Sequence, residues 1–504
     1  MAPVPQARRS RGTGPRAPGF AAGPATSRGL AVALVVAHLF ASPLHAHGLL
    51  RRSSPEDGAR LATVPRELRL HFTEPVALAF ARIELVGPSG GPIGLGAIRH
   101  PGDSTAVLIA PIEGRLVAGS YAVSWQVVAA DGHPTRGRFT FTIEPGAAGG
   151  LPASEPEPPG PEESGSAVPL PHAAVAVGTV AGDAPAESTV GEAFGPGSPL
   201  YAAVRVLTFT GLLGVIGAGM LGLVILPAVD RRHLPAAGFA LDAAREGTFR
   251  FGLVAAAVLL PTAALRLAAQ AVAVYGAKGA FQPERVALLL TQSVWGWGWL
   301  AQVAAAALAV VGFSRALKER TGGRPLTAIA VLSLAFTPAL SGHALSAPGG
   351  PGIAVIADGV HVLGAGGWLG SLLVLACVGI PSVWRHGGEG SGQVVAAVVH
   401  AFSPTALVFS SAVVLTGIYA SWQHLGSVSA LWTTEYGRTL VLKLALLSLV
   451  FAAGAYNFLR IRAVLGDEVS VRRLRRTSTV ELAVGGIVVV ITALLVAIPT
   501  PAGG

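Results

Sequence analysis

Hydrophobic and polar positions divide the chain into distinct regimes. Between residues 66 and 144 they alternate in short runs: "RELRLHF", "ARIELVG", "TAVLIAP", "YAVSWQVVA" and "GRFTFTIEP". A period of two turns one face of each run inward. Gly/Pro-rich turns separate the runs, so this stretch predicts a small β-sandwich. From Pro145 to Pro199 the pattern gives way to Pro, Gly, Ala, Glu and Ser, as in "ASEPEPPGPEESGS". Such a composition reads as a disordered linker with polyproline II stretches.

Past Leu200 the apolar runs lengthen. Eight are expected to span a bilayer, near 198–229, 248–276, 293–316, 324–345, 353–383, 395–421, 437–460 and 478–499. A spanning helix takes about 20 residues, and the abundant Gly, Ala and Ser suit close helix packing in lipid. The run "LAVALVVAHLF" (Leu30–Phe40) is too short to span comfortably. Arginines precede it and small residues follow, which predicts a secretory signal peptide cleaved after Ala46. The expected organisation is thus a signal peptide over 1–46, a sandwich over 47–145, a linker over 146–197 and a membrane domain over 198–500.

Composition agrees with this division. Of 504 residues, 51% are hydrophobic and 12% charged, too apolar for one soluble domain. The single cysteine, Cys377, excludes an intramolecular disulfide and any multi-cysteine metal site. Arg8, Arg9, Arg11, Arg16 and Arg28 supply +5 of the net charge of +9, and residues 1–46 hold no acid. No basic patch with interleaved aromatics points to nucleic acid. The remaining cations concentrate in alternate loops, in "DRRH", "RALKERTGGR", at Arg385 and in "RIRAVLGDEVSVRRLRR". The positive-inside rule makes these loops cytoplasmic and puts both ends of the mature chain outside. "WGWGW" (Trp295–Trp299) then falls at the outer face, where an aromatic belt is expected, with Lys443 and Arg438 as interfacial anchors.

Candidate chemistry lies in two places. The stretch "AADGHPTRGRF" carries Asp131 and His133 just past a strand, although Asp-Gly beside His-Pro is also an ordinary turn. Cleavage after Ala46 would make His47 an N-terminal residue that chelates through its amine and a ring nitrogen. His47, Asp131 and His133 then form an N,N,N,O donor set, which suits Cu(II); zinc more often recruits cysteine. In the membrane half, His343 and His361 fall in the outer halves of their spans and His424 in the next outer loop. An ionisable residue within a span is a functional candidate by default, which makes these three a candidate pathway. His400, near an inner end, reads as a capping or interfacial residue.

"HGLLRRSSPEDGA", "LHFTEPV" and "VVAADGHPTRGRFTFTI" resemble the copper-resistance protein family CopC. "SGHAL", "HVLGAGGWLGSLL", "FSPTALVFSSAVVLTGIYASW", "TTEYGRTLVLKLALL" and "NFLRIRAV" resemble its membrane partner family, CopD. The resemblance implies a CopC–CopD fusion: an all-β Greek-key sandwich of cupredoxin/Ig-like type joined to an all-α bundle of about eight transmembrane helices. It implies Cu(II) held by His47, Asp131 and His133, with Glu74 a further acid near the site. A Met-rich Cu(I) site is not expected, since the methionines are Met1 and Met220.

The expected function is copper capture outside a bacterial cytoplasmic membrane and copper transport across it, inward, for copper homeostasis. Expected partners are copper ion, the lipid bilayer and periplasmic copper chaperones. No P-loop or other ATPase signature appears, so transport would not be driven directly by ATP. The alternative is a membrane-anchored protein that sequesters or senses copper without moving it. Enzyme activity is not expected: an N-terminal His chelate also occurs in copper oxygenases that cleave polysaccharide, but Asp131 would fill the position oxygen needs. N-terminal sequencing of the mature protein should begin at His47; a start elsewhere removes the amine ligand and the predicted donor set with it.

Overall fold

A computed structural model describes residues 50–102, 104–129, 132, 134–148, 198–230, 238–342, 344, 351–465 and 468–498. The expected signal peptide and most of the expected linker lie outside these residues.

The N-terminal part is a two-sheet sandwich. One sheet runs β1 (Leu50–Ser54), β3 (Glu67–Phe72), β6 (Val107–Pro111). The other runs β2 (Ala59–Thr63), β8 (Pro134–Ala148), β7 (Gly119–Val128), β4 (Arg82–Val86), β5 (Pro92–Ile93). Pairing is antiparallel except for β2 with β8. Alternation sets which face is inside: Leu68, Leu70 and Phe72 of β3 meet Tyr121, Val123 and Trp125 of β7 in one core. Phe72 and Trp125 pack edge to face at 5.2 Å, and Tyr121 stacks on Phe141 at 5.2 Å. Tyr121 also donates to the Val117 carbonyl and accepts from the Val117 amide, both at 2.8 Å. Burial pushes its phenol above the ordinary value, and the bond to the Val117 backbone acts the other way. β1, β2 and β5 escape the alternation pattern. β1 and β2 are polar or exposed edge segments that join through backbone pairing, and β5 is two residues long.

The β7–β8 hairpin positions the candidate site. Its register runs unbroken from Gly119↔Ile143 to Val128↔Pro134, so the segment carrying Asp131 and His133 is its turn. Gly137 lies opposite Trp125, and a Cβ there would sit 2.5 Å from the indole.

Eight helices are long and apolar enough to cross a membrane: α1 (Pro199–Val229), α2 (Gly238–Tyr275), α4 (Val294–Leu317), α5 (Gly323–Ser341), α6 (Gly352–His386), α7 (Ser391–Leu425), α8 (Glu435–Ile461) and α9 (Val469–Leu495). They match the eight expected runs, with α2, α6, α7 and α9 starting or ending beyond them because polar or charged turns extend the helices. A further short helix, α3 (Pro283–Gln292), links α2 to α4.

α1 packs against α2, α5, α6 and α9. Small residues allow this. A Cβ on Gly217 of α1 would collide with the Gly370 backbone of α6, and one on Gly222 would meet the Phe249 ring of α2. Gly217→Leu should therefore wedge α1 from α6 and lower stability by about 1–3 kcal/mol. Thermal unfolding of the detergent-solubilised chain checks this; an unchanged midpoint would mean the two helices do not meet here.

Candidate copper transfer site

The hairpin turn of the sandwich rests on one end of the bundle. The Val76↔Ala129 bridge and the 2.8 Å bond from the Ala77 amide to the Val128 carbonyl tie the loop after β3 to the end of β7. Glu74 lies in this loop with Oε2 buried. The bridge therefore places Glu74 beside the strand end from which the chain runs on to Asp131 and His133. Those two residues, His47 and His343 lie outside the described residues. Among the described residues, no group of three or more His, Cys, Asp and Glu side chains gathers as a metal site.

Gly132, at the turn, has φ +88°, a region that favours glycine. Its amide donates to the Ala129 carbonyl at 2.9 Å. Its own carbonyl accepts a bond from Gln270 Nε2 of α2. A Cβ on Gly132 would sit 2.7 Å from the Trp295 ring. Alongside, Gln126 Nε2 of β7 donates to the Val274 carbonyl at 2.9 Å. Phe80 and Val128 of the sandwich join Val272, Val274, Leu289 and Trp295 in a shared apolar cluster. Trp295 is only 3% exposed, so it forms part of this contact and not of an aromatic belt; Trp297, at 61%, keeps an outward position.

Below the turn, Arg266 of α2 lies over the Trp295 ring, 5.8 Å from its centre. Its guanidinium bonds to Gln302 of α4 and approaches Ser341 of α5 at 3.5 Å. This pins three helices together two residues from His343. Neither Gln270 nor Arg266 has a clear signal in the sequence; each is one polar residue in an apolar helix, and only the hairpin's position makes them part of the site.

Deeper in the bundle, His361 Nδ1 lies 2.9 Å from Thr416 Oγ1 of α7. Thr416 donates its single proton to the Ala412 carbonyl at 2.6 Å. Its oxygen therefore accepts from His361 Nδ1–H, which leaves the Nε2 lone pair of the imidazole able to bind a metal. Asp358, three residues earlier on α6, shares the face of His361. Lys443 of α8 interacts electrostatically with both. Lys443 is thus not the interfacial anchor expected from sequence: it lies eight residues into α8, about 12 Å from the helix start at a rise of about 1.5 Å per residue. His424 follows Thr416 by eight residues on α7 and meets the Tyr436 ring edge-on at 6.1 Å. His400 accepts from Arg462 Nε at 3.1 Å, which ties α7 to α8 away from the sandwich.

Comparison with known proteins matches three families in order. The CopC domain matches residues 50–144, the copper resistance protein D-like N-terminal domain residues 196–353, and copper resistance protein D residues 396–495. Copper resistance protein C of Pseudomonas syringae pv. tomato is 33% identical over 120 residues, which cover 94% of it and 22% of this chain. The chain belongs to the CopC–CopD copper-resistance family. Copper transport protein CutJ of Bacillus subtilis (strain 168) is 23% identical over 460 residues, covering 90% of this chain and 75% of that protein. The crystal structure of CopC from Methylosinus trichosporium OB3b aligns with 26% identity over 19% of this chain and 94% of that chain, with a TM-score of 0.19. By the family matches, the sandwich is the CopC part and the bundle the CopD part, and the family is one of copper resistance and transport, with copper as its ion.

Gly132→Val should strain the turn and push its side chain into Trp295, releasing the CopC part from the CopD part. Hydrogen exchange should rise over residues 126–129 and stay unchanged in β3. Equal protection at both places in variant and parent would exclude the docking.

Proposed function

We propose that the chain imports copper, with the CopC part outside the cytoplasmic membrane. The observation that carries this reading is the seat of the hairpin turn on the CopD part, where Gly132 meets Gln270 and Trp295. A Cu(II) ion held by His47, Asp131 and His133 would arrive at the mouth of the bundle without a diffusive step. The imidazoles and amine suit Cu(II), and Glu74 adds negative charge beside the turn.

The cation-rich loops "RALKERTGGR" and "RIRAVLGDEVSVRRLRR" lie at the opposite end of the bundle from the sandwich. By the positive-inside rule this orients the CopC part outward. Tethering by the linker raises the effective concentration of donor at the mouth. From there His424 and His361 supply nitrogen ligands at successive depths, His343 is a further candidate from the sequence, and Asp358 offsets the charge of Lys443 near His361. The chain acts as a carrier, with no bond-making step, and copper chaperones outside the membrane are its natural donors.

Cytoplasmic copper accumulation in cells expressing the chain, compared with cells expressing the CopC part alone, tests import. The full chain should raise it, and His361→Ala should lower the uptake rate about tenfold, the usual scale for losing a metal-site group. Equal accumulation with and without the CopD part would leave sequestration or sensing as the function.

A further inference from the structure

Away from the transfer site, a cavity of about 280 Å³ opens among α6, α7, α8 and α9. Its walls are mainly apolar, with Trp368, Phe402, Phe451 and Leu372 among them, and Trp368 stacks on Phe451 at 4.7 Å. One acid enters it: Glu481 of α9, 3% exposed and near the middle of its span. Asn457 Nδ2 of α8 donates to Glu481 Oε2 at 3.0 Å. The orientation of that amide is set on its other side, where Thr477 Oγ1 donates to Asn457 Oδ1 at 2.5 Å. The Trp368 indole is a second neutral polar neighbour of the carboxyl group. Gly454 makes room for Oε1, since a Cβ there would sit 3.2 Å from it.

Two features set this site apart from a structural hydrogen bond. The first is charge. The titratable groups on the walling helices include Cys377 on α6, His400 on α7, Tyr456 and Arg460 on α8 with Arg462 just past its end, and Arg475 and Arg476 on α9. Among the described residues, those that act on Glu481 are Asn457 and Trp368, both neutral. An acid buried in lipid surroundings with neutral partners is neutralised by taking up a proton. The second is backbone. π-helical turns at Gly366–Gly370, Leu375–Gly379 and Asn457–Ile461 each contribute to the wall, through Trp368, Leu375 and Asn457. Such turns add a residue to a helix and recur at functional sites.

The geometry points to Glu481 as an intramembrane proton-binding site that exchanges its proton with the side of the membrane opposite the sandwich, and so couples proton movement to transport. The cavity is lined by Leu407 and Ser410 of α7 and reaches Leu459 and Leu474, near the ends of α8 and α9 away from the sandwich. The carboxyl, amide and hydroxyl oxygens here suit a proton and offer no soft ligand for copper. The chemistry balances as one proton bound by the carboxylate and one released from the carboxylic acid. Coupling rests on the import reading; protonation does not.

Infrared spectroscopy of the purified full chain in lipid nanodiscs tests protonation without copper. The C=O stretch of a protonated carboxyl group should be present in the parent, retained at a shifted position in Glu481→Asp and lost in Glu481→Gln. The same band in Glu481→Gln would overturn the site. Proteoliposomes then test coupling. Copper uptake by the parent should respond to an imposed pH gradient, and Glu481→Gln should lose that response while Glu481→Asp keeps it. An undiminished response in Glu481→Gln would overturn the coupling. A parent that moves no copper would overturn import, and the infrared result would still decide protonation.

Discussion

A lipid interior offers no hydrogen bonds, and most of this chain follows from that. Every backbone amide and carbonyl in the hydrocarbon must be satisfied within its own segment, which leaves helices as the solution for runs of about 20 apolar residues. Apolar side chains gain little from one another in lipid, so the helices associate by close approach. α1 meets α6 at Gly217 and Gly370, where neither backbone leaves room for a side chain. Several polar groups in the spans are held in bonded sets. Arg266 joins Gln302 and Ser341, and His361 joins Thr416.

The same constraint gives the CopC part its seat. The end of the bundle leaves helix ends, Trp295 and the Gln270 amide near water, and the β7–β8 hairpin covers them. The contact combines an apolar cluster around Phe80, Val128 and Trp295 with two backbone-directed amide bonds, from Gln126 to Val274 and from Gln270 to Gly132. Such bonds depend little on side-chain identity across the interface, so they specify position more than affinity. They put the hairpin turn, at Gly132, on the end of the CopD part that holds Gln270 and Trp295.

Much of the fold was legible in the chain. The five alternating runs became β3, β4, β6, β7 and β8, and the eight apolar runs became the eight long helices, because burial on one face of a strand or around a helix leaves a direct periodic trace. β1 and β2 left none, since edge strands held by backbone pairing need no apolar pattern. The candidate site was legible only in part. Glu74, His361 and His424 stand out as polar residues in telling places. Asp358 was passed over and Lys443 read as an interfacial anchor, since each is a single charge in an apolar run and their interaction joins residues 85 positions apart in the chain.

By itself the sequence determined the membrane-spanning plan, the sandwich and the family resemblance, and it named the candidate copper donors. These depend on local periodicity, on residue type and on short motifs. The tertiary structure decided which single polar residues meet. It turned Trp295 from an expected belt residue into the floor of a docking contact, brought Lys443 within electrostatic reach of Asp358 and His361, and buried Glu481 at a cavity to which three π-helical turns contribute. The physical reason is that a lone polar group in an apolar helix carries no periodic signal; its role is set by what the neighbouring helices bring to it.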